Sequence, residues 1–288
     1  MIDLLIQAEA LRDRLNRPGC LVFDVRHDLF DHLAGRRAYE AGHIPGALYL
    51  DHETQLCAAR TGRNGRHPLP DRAEFAALLR AQGLTARSDV VVYDAGNGMF
   101  AAHLWWMLRW LGHESVAVLD GGWAAWQAAG GAVETGTRTA SVSEAQAIQS
   151  LVLTGQPSMP MVDARAVLAN LDDPRFTVLD ARGAERFRGD VEPIDPVGGH
   201  IPGALNRPFA QNVQPDGRFK PAAQLRAEFE ALLGTRLDRG IVHQCGSGIT
   251  ACHNLLAMEL AGLRGSALYP GSWSEWCSDP EHPVARGG

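Results

Sequence analysis

The chain has 288 residues, 45% hydrophobic and 21% charged, enough for one large globular domain or two ordinary ones. Its formal net charge is −6 with no block of like charge, which argues against nucleic acid or an anionic membrane as the main partner. Nothing approaches the roughly eighteen consecutive apolar residues of a transmembrane helix, so no membrane partner is expected.

The opening "MIDLLIQAEALRDRLNRPG" lacks the basic start and unbroken apolar core of a signal peptide. The five cysteines, Cys20, Cys57, Cys245, Cys252 and Cys277, are odd in number and scattered. Reduced thiols in a cytoplasm are therefore expected. No Cys-x-x-Cys pair or His/Cys cluster has zinc spacing, so no metal or other cofactor is expected.

In chain order, "LVFDVR" (21–26) is a short apolar run ending in Asp-x-Arg, followed by "GHIPGAL" (42–48). "RAEFAALLRAQG" (72–83) predicts an amphipathic helix closed by glycine, and "VVVYDAGNG" (90–98) a buried strand and turn. "VLDGGWAAW" (118–126) ends the series. After "GGAVETGTRTASVSEAQAIQS" (130–150), which has linker composition, the series recurs. "TVLDAR" (177–182), an identical "GHIPGAL" (199–205), the helix "AAQLRAEFEALLG" (222–234), "IVHQCGSG" (241–248) and "LYPGSWSEW" (268–276) follow in the same order. Asp24 and Asp180 stand 156 residues apart, His43 and His200 157, Asp94 and Cys245 151, and Asp120 and Pro270 150. Chance does not hold such a register, so the chain reads as a duplicated globular domain. The expected division is a first domain at 1–135, a linker at 136–157 and a second domain at 158–288. Strand and helix patterns alternate and the strand runs are continuously apolar. Each domain is therefore expected to be α/β, with a mostly parallel central sheet and helices on both faces.

Cys245 falls at the carboxyl end of a predicted strand, where ligands of such sheets bind. Gly246 and Gly248 let the following loop curl, so that amides from Gly246 through Ser247, Gly248, Ile249 and Thr250 point inward as an anion nest at a helix start. Such surroundings can bring a cysteine pKa from about 8.5 to roughly 3.5–7.5. Cys245 is thus the candidate nucleophile. The first domain has Asp94 at the matching point, so it is expected to be non-catalytic. Asp24 with Arg26, and Asp180 with Arg182, read as a repeated structural ion pair. Trp105, Trp106, Trp110, Trp123, Trp126, Trp273 and Trp276 read as core or interface anchors, and Cys252 and Cys277 as packed thiols.

The two "GHIPGA" segments, the "CGSGIT" loop and the "GSWSEW" end resemble the rhodanese sulfurtransferases over nearly the whole chain. The resemblance implies two tandem rhodanese-like domains, the second catalytic. The loop is similar to that of the 3-mercaptopyruvate branch (Cys-Gly-Ser/Thr-Gly-Val-Thr), with Ile249 replacing valine. Thiosulfate-preferring relatives typically carry an Arg-Lys pair where Gly246 and Ser247 stand here. Two cations there would favour a dianion. The resemblance implies a persulfide on Cys245, formed from 3-mercaptopyruvate with release of pyruvate. The sulfur then passes to a thiol such as thioredoxin or a low-molecular-weight thiol, or to cyanide. A thiosulfate sulfurtransferase using the same persulfide is the alternative.

The resemblance also assigns substrate binding to Arg186, with Arg188 as second choice, and a hydrogen-bonding role to Ser247. Its proton relay maps onto His43 with Asp31 or Asp28, although His200 repeats His43 and favours a structural turn. Ile194 stands where the branch often has a second arginine, so the carboxylate clamp is expected to be weaker or rebuilt from other residues. A phosphatase of related fold would need Cys-x5-Arg, and Ala251 occupies that last position. A non-catalytic interaction module is disfavoured by the retained Cys245.

Overall fold

The structure is a computed structural model that describes residues 2–140 and 159–288. Most of the expected linker, residues 141–157, lies outside the described residues. The remainder packs into two compact units that are not contiguous in sequence. The first holds residues 2–58 and 69–140 with Pro215–Arg218; the second holds Ala59–Pro68, Met159–Gln214 and Phe219–Gly288. A division at 136–157 alone misses this exchange of two short arms.

In the first unit five parallel strands form the sheet. They are β1 (Leu5–Ile6), β2 (Cys20–Asp24), β3 (Leu48–Tyr49), β4 (Asp89–Tyr93) and β5 (Val116–Leu119), in the order β1-β5-β4-β2-β3. The buried run Val90, Val91, Val92 and Tyr93 explains the central place of β4, since a strand covered on both faces excludes polar residues. Helices α1 (Ala8–Arg14), α2 (Ala34–Ala41), α3 (His52–Gln55), α4 (Arg72–Ala81), α5 (Met99–Trp110) and α6 (Gly122–Ala128) complete the unit. Asp71 caps α4 by accepting from the amides of Ala73 and Glu74.

The second unit repeats the plan with β6 (Thr177–Asp180), β7 (Leu205–Asn206), β8 (Ile241–Gln244) and β9 (Ala267–Leu268), in the order β7-β6-β8-β9. All pairs are parallel, and Met161 bridges Leu268 where β1 lies against β5 in the first unit. Its helices include α7 (Ala164–Asp172), α8 (Ala184–Arg188), α9 (Ala222–Leu233), α10 (Ile249–Leu260) and α11 (Ser272–Trp276).

The repeated motifs build repeated joints. Arg26 pairs with Asp24 at 2.6 Å and donates to Gly42 O at 2.7 Å; Arg182 pairs with Asp180 at 2.7 Å and donates to Gly199 O at 2.7 Å. Each guanidinium lies over an indole, Arg26 over Trp123 and Arg182 over Trp273. Trp105, Trp106, Trp126, Trp273 and Trp276 are fully buried. No helix among the described residues is long and apolar enough to cross a membrane.

Candidate active site

β8 delivers Cys245 to the carboxyl edge of the second sheet, and α10 begins four residues later. The thiol is 2% exposed. Its sulfur accepts from the amides of Gly248 at 3.2 Å and Ser247 at 3.5 Å. Gly248 has φ 91°, and a Cβ there would meet Pro270 O at 2.7 Å, so only glycine closes this turn. The "GSWSEW" segment grips the loop from outside. Trp273 N donates to Cys245 O at 3.0 Å, and Ser274 N to Gly246 O at 2.9 Å. Ser272 adopts φ 55°, a conformation unusual for a residue with a Cβ. Its hydroxyl accepts from Cys245 N at 3.1 Å and donates to Tyr269 O at 2.9 Å. The two motifs recur together in the chain because one holds the other.

The first unit has the same joint around a different group. Trp123 N donates to Asp94 O at 2.8 Å. The Asp94 carboxylate fills its own nest, accepting from Gly96 N, Gly98 N, Phe100 N and Ala101 N at 3.0–3.3 Å. Burial pushes its pKa up, and those four amides oppose the rise.

Two residues that sequence reasoning missed reach the Cys245 loop from the arm Ala59–Pro68. His67 Nδ1 and Ser247 Oγ share a buried hydrogen bond of 2.7 Å. Arg66 forms an ion pair with Asp195. A Cβ on Gly246 would lie 2.7 Å from Arg66 Nη2 and 3.6 Å from Arg186 Nη2, so two guanidiniums stand over that glycine. Arg186 itself contacts Glu192 at 2.7 Å and Asp195 at 3.1 Å. Burial works to raise the Glu192 pKa, but Arg186 and the amides of Asp195 and Ile194 overcome it and hold the carboxyl below its usual range. Ile194 contributes only its amide to this network, donating to Glu192 at 3.1 Å.

The other expected residues have these surroundings. Arg188 pairs on the surface with Asp190 at 2.8 Å. His43 Nδ1 bonds Tyr39 O at 2.8 Å within its own turn, with its ring stacked on Tyr39. His200 repeats both contacts with Phe187. Asp31 is bound to Arg37 on the surface, and Asp28 accepts from the amides of Phe30 and Asp31 in an exposed turn. Ser247 meets His67. Among the cradle residues, Ile249 and Thr250 open α10, while the amides of Ser247 and Gly248 donate to the sulfur. Cys252 donates to Gly248 O at 3.3 Å, and burial raises its pKa well above normal, with Cys245 adding to the rise. Burial pushes Cys277 up to about 11. Neither is poised as a second thiolate.

A signal for the arm does exist. "NGRHPLPDRAEF" and "DGRFKPAAQLRAEF" both run Gly-Arg, then proline, then Arg-Ala-Glu-Phe. Gly65 and Gly217 have φ of +80° and +84°; Gly65 packs near Gly271 O of the Trp segment, and Gly217 near Gly96 O of the Asp94 loop.

A doubled parallel α/β unit, with an amide-nest loop gripped by a Trp segment in each copy, defines a class of protein. The model of the Rhodanese-like domain matches residues 7–129 and 163–279, and the chain belongs to that family. A Pseudomonas aeruginosa protein named "Probable 3-mercaptopyruvate sulfurtransferase" is 50% identical, with 98% of each chain covered. Thiosulfate sulfurtransferase of Cricetulus griseus is 35% identical, covering 97% of this chain and 93% of that one. The solved 3-mercaptopyruvate sulfotransferase SseA of Escherichia coli superposes with TM-score 0.80 at 31% identity, covering 94% of this chain and 99% of that one.

Proposed function

We propose that this chain is a sulfurtransferase that takes sulfur from 3-mercaptopyruvate onto Cys245 and passes it to a thiol, releasing pyruvate. The observation that carries this reading is the hydrogen bond between Ser247 and His67 beside a sulfur held by loop amides. The Cys245 thiolate attacks the donor sulfur; an S–S bond forms and the donor C–S bond breaks, its electrons passing to the enolate of pyruvate. The proton of the donor thiol reaches the enolate carbon through Ser247 and His67. The persulfide's outer sulfur rests in the nest of Ser247 and Gly248 amides. An acceptor thiolate then attacks that sulfur, leaving as a persulfide and returning Cys245 as thiolate. Cyanide would leave as thiocyanate by the same step.

Arg186 and Arg66 are assigned to the donor carboxylate, with Arg66 in the part that a second arginine at Ile194 was expected to play. Thiosulfate is the second reading, favoured by these same two cations. Glu192 and Asp195 balance them, however, so the rim carries no surplus positive charge for a dianion. All five cysteines are free, which suits the reducing cytoplasm in which thioredoxin or a small thiol would serve as acceptor. Steady-state kinetics with both donors, on wild type and Cys245→Ser, test the reading. We expect higher kcat/KM with 3-mercaptopyruvate and no turnover in the variant; a preference for thiosulfate would overturn the donor.

A further inference from the structure

The chain's spacing shows no metal motif, yet the fold of the first unit gathers four histidines at the carboxyl ends of β2 and β3. His27 follows β2, and His52 and Glu53 open α3 just after β3. One donor atom from each of these three lies within 4.8 Å of the other two. His27 Nε2 is 3.6 Å from Glu53 Oε1, and the His27 side chain is fully buried. His32 Nδ1 stands 3.8 Å from the same oxygen, at the exposed rim. His52 is buried, with Nε2 at 3.2 Å from His103 Nδ1 and Nδ1 at 3.7 Å from Cys57 Sγ. Phe100 meets the rings of His27 and His52 edge-on, giving the cluster an apolar wall.

From this juxtaposition we propose that His27, His52 and Glu53 bind a divalent transition-metal ion of zinc's class in the first unit. Ligand atoms about 2.0–2.1 Å from a tetrahedral ion stand about 3.3 Å apart, so His27 and Glu53 at 3.6 Å are nearly in place, and the other separations, all within 4.8 Å, close by side-chain rotation. Two imidazoles and one carboxylate are a known three-ligand set for zinc that leaves a position open. Whichever nitrogen of His52 binds, the other faces His103 or Cys57, the outer support that a ligating imidazole needs. The His27 and His52 ring centroids stand 5.2 Å apart, so both imidazoles face one point.

The fold itself does not demand the cluster. At the offsets that align the copies here, His27 falls on Gly183, His52 on Phe209 and Glu53 on Ala210. The second unit completes the same sheet without it. The donors are thus a property of the copy whose nest holds Asp94.

The test uses the full chain carrying Cys245→Ser, so that the loop thiol contributes nothing, stripped with a chelator and titrated with Zn2+ and with Co2+. We expect one ion per chain, visible Co2+ absorption of a nitrogen and oxygen site, and a rise in Tm of several degrees at saturating Zn2+. Adding His27→Gln and Glu53→Gln should weaken binding at least tenfold. Circular dichroism and the metal-free Tm of the variant check that it folds. Should that variant melt low, Glu53→Gln alone, whose side chain is 17% exposed, carries the comparison. Substoichiometric binding, or stoichiometric binding that these substitutions leave unchanged, would overturn the site.

Discussion

Cys245 and Asp94 occupy one point of one fold and differ in what the loop amides hold. In the first unit the carboxylate of Asp94 accepts all four bonds itself, so its nest is already filled. In the second the amides meet a sulfur that can take a further atom. Cys245→Ser should therefore show no mass gain of about 32 Da, one sulfur on the nucleophilic thiolate, after donor treatment; mass spectrometry reads this directly. His67→Ala should lower kcat with 3-mercaptopyruvate about 10²–10⁴-fold, the usual span for a lost proton carrier. Turnover with thiosulfate should stay within a few-fold, because sulfite leaves without needing a proton. Equal losses with both donors would reduce His67 to a structural support. Arg66→Ala should raise KM for 3-mercaptopyruvate about tenfold or more, consistent with one charged hydrogen bond of about 1.5–3 kcal/mol.

Elements decide where these side chains point. The buried run of β8 sets Cys245 at the sheet edge, and α11 turns back to bind the loop backbone through Trp273 and Ser274. Ser272 stands where the first unit has Gly122, whose φ of 56° is nearly the same. The Cys245 loop thus accepts a strained serine and gains a hydroxyl on the nucleophile's own amide. Ser272→Gly should relieve the backbone but free that amide, leaving Tm within a few degrees while lowering kcat. A variant with unchanged kcat would show that the hydroxyl only fills space. Asp94→Ala should cost about 2–4 kcal/mol in chemical denaturation, because buried amides lose their acceptor.

For the whole molecule, stability should depend on pH through a residue outside the chemistry. His243 lies in the middle of the second sheet, fully buried with neither ring nitrogen hydrogen-bonded. Burial lowers its pKa to about 3. In the unfolded chain the ring titrates near 6.5. Its contribution is therefore complete above about pH 6.5 and is lost as pH falls from there toward the folded value, since only the unfolded chain takes the proton. Urea midpoints should drop between pH 7 and pH 4.5, and His243→Leu should flatten that slope. A slope unchanged in the variant would assign the acid sensitivity to other groups.

Much of this was legible from residue order alone. A duplication leaves the same letters at the same spacing, and a strand, a cysteine and two glycines in succession describe a nest locally. These features need only near neighbours in the chain, so the family, the α/β plan and Cys245 could be read from it. Arg186, singled out through its motif, stands over Gly246. The missing partners were not legible: the shared Gly-Arg and proline run marks the arm, but His67 and Ser247 stand 180 residues apart and nothing local says that they meet. His43 entered as a relay only through the resemblance, and the recurrence of its motif at His200 already favoured a shared turn. The histidines around Glu53 show the same limit, since their spacing in the chain fits no ligand pattern. Chain order determined the loop that carries the sulfur. Only tertiary packing, which brings distant arms to one sheet edge, decided which histidine and which second arginine stand beside it.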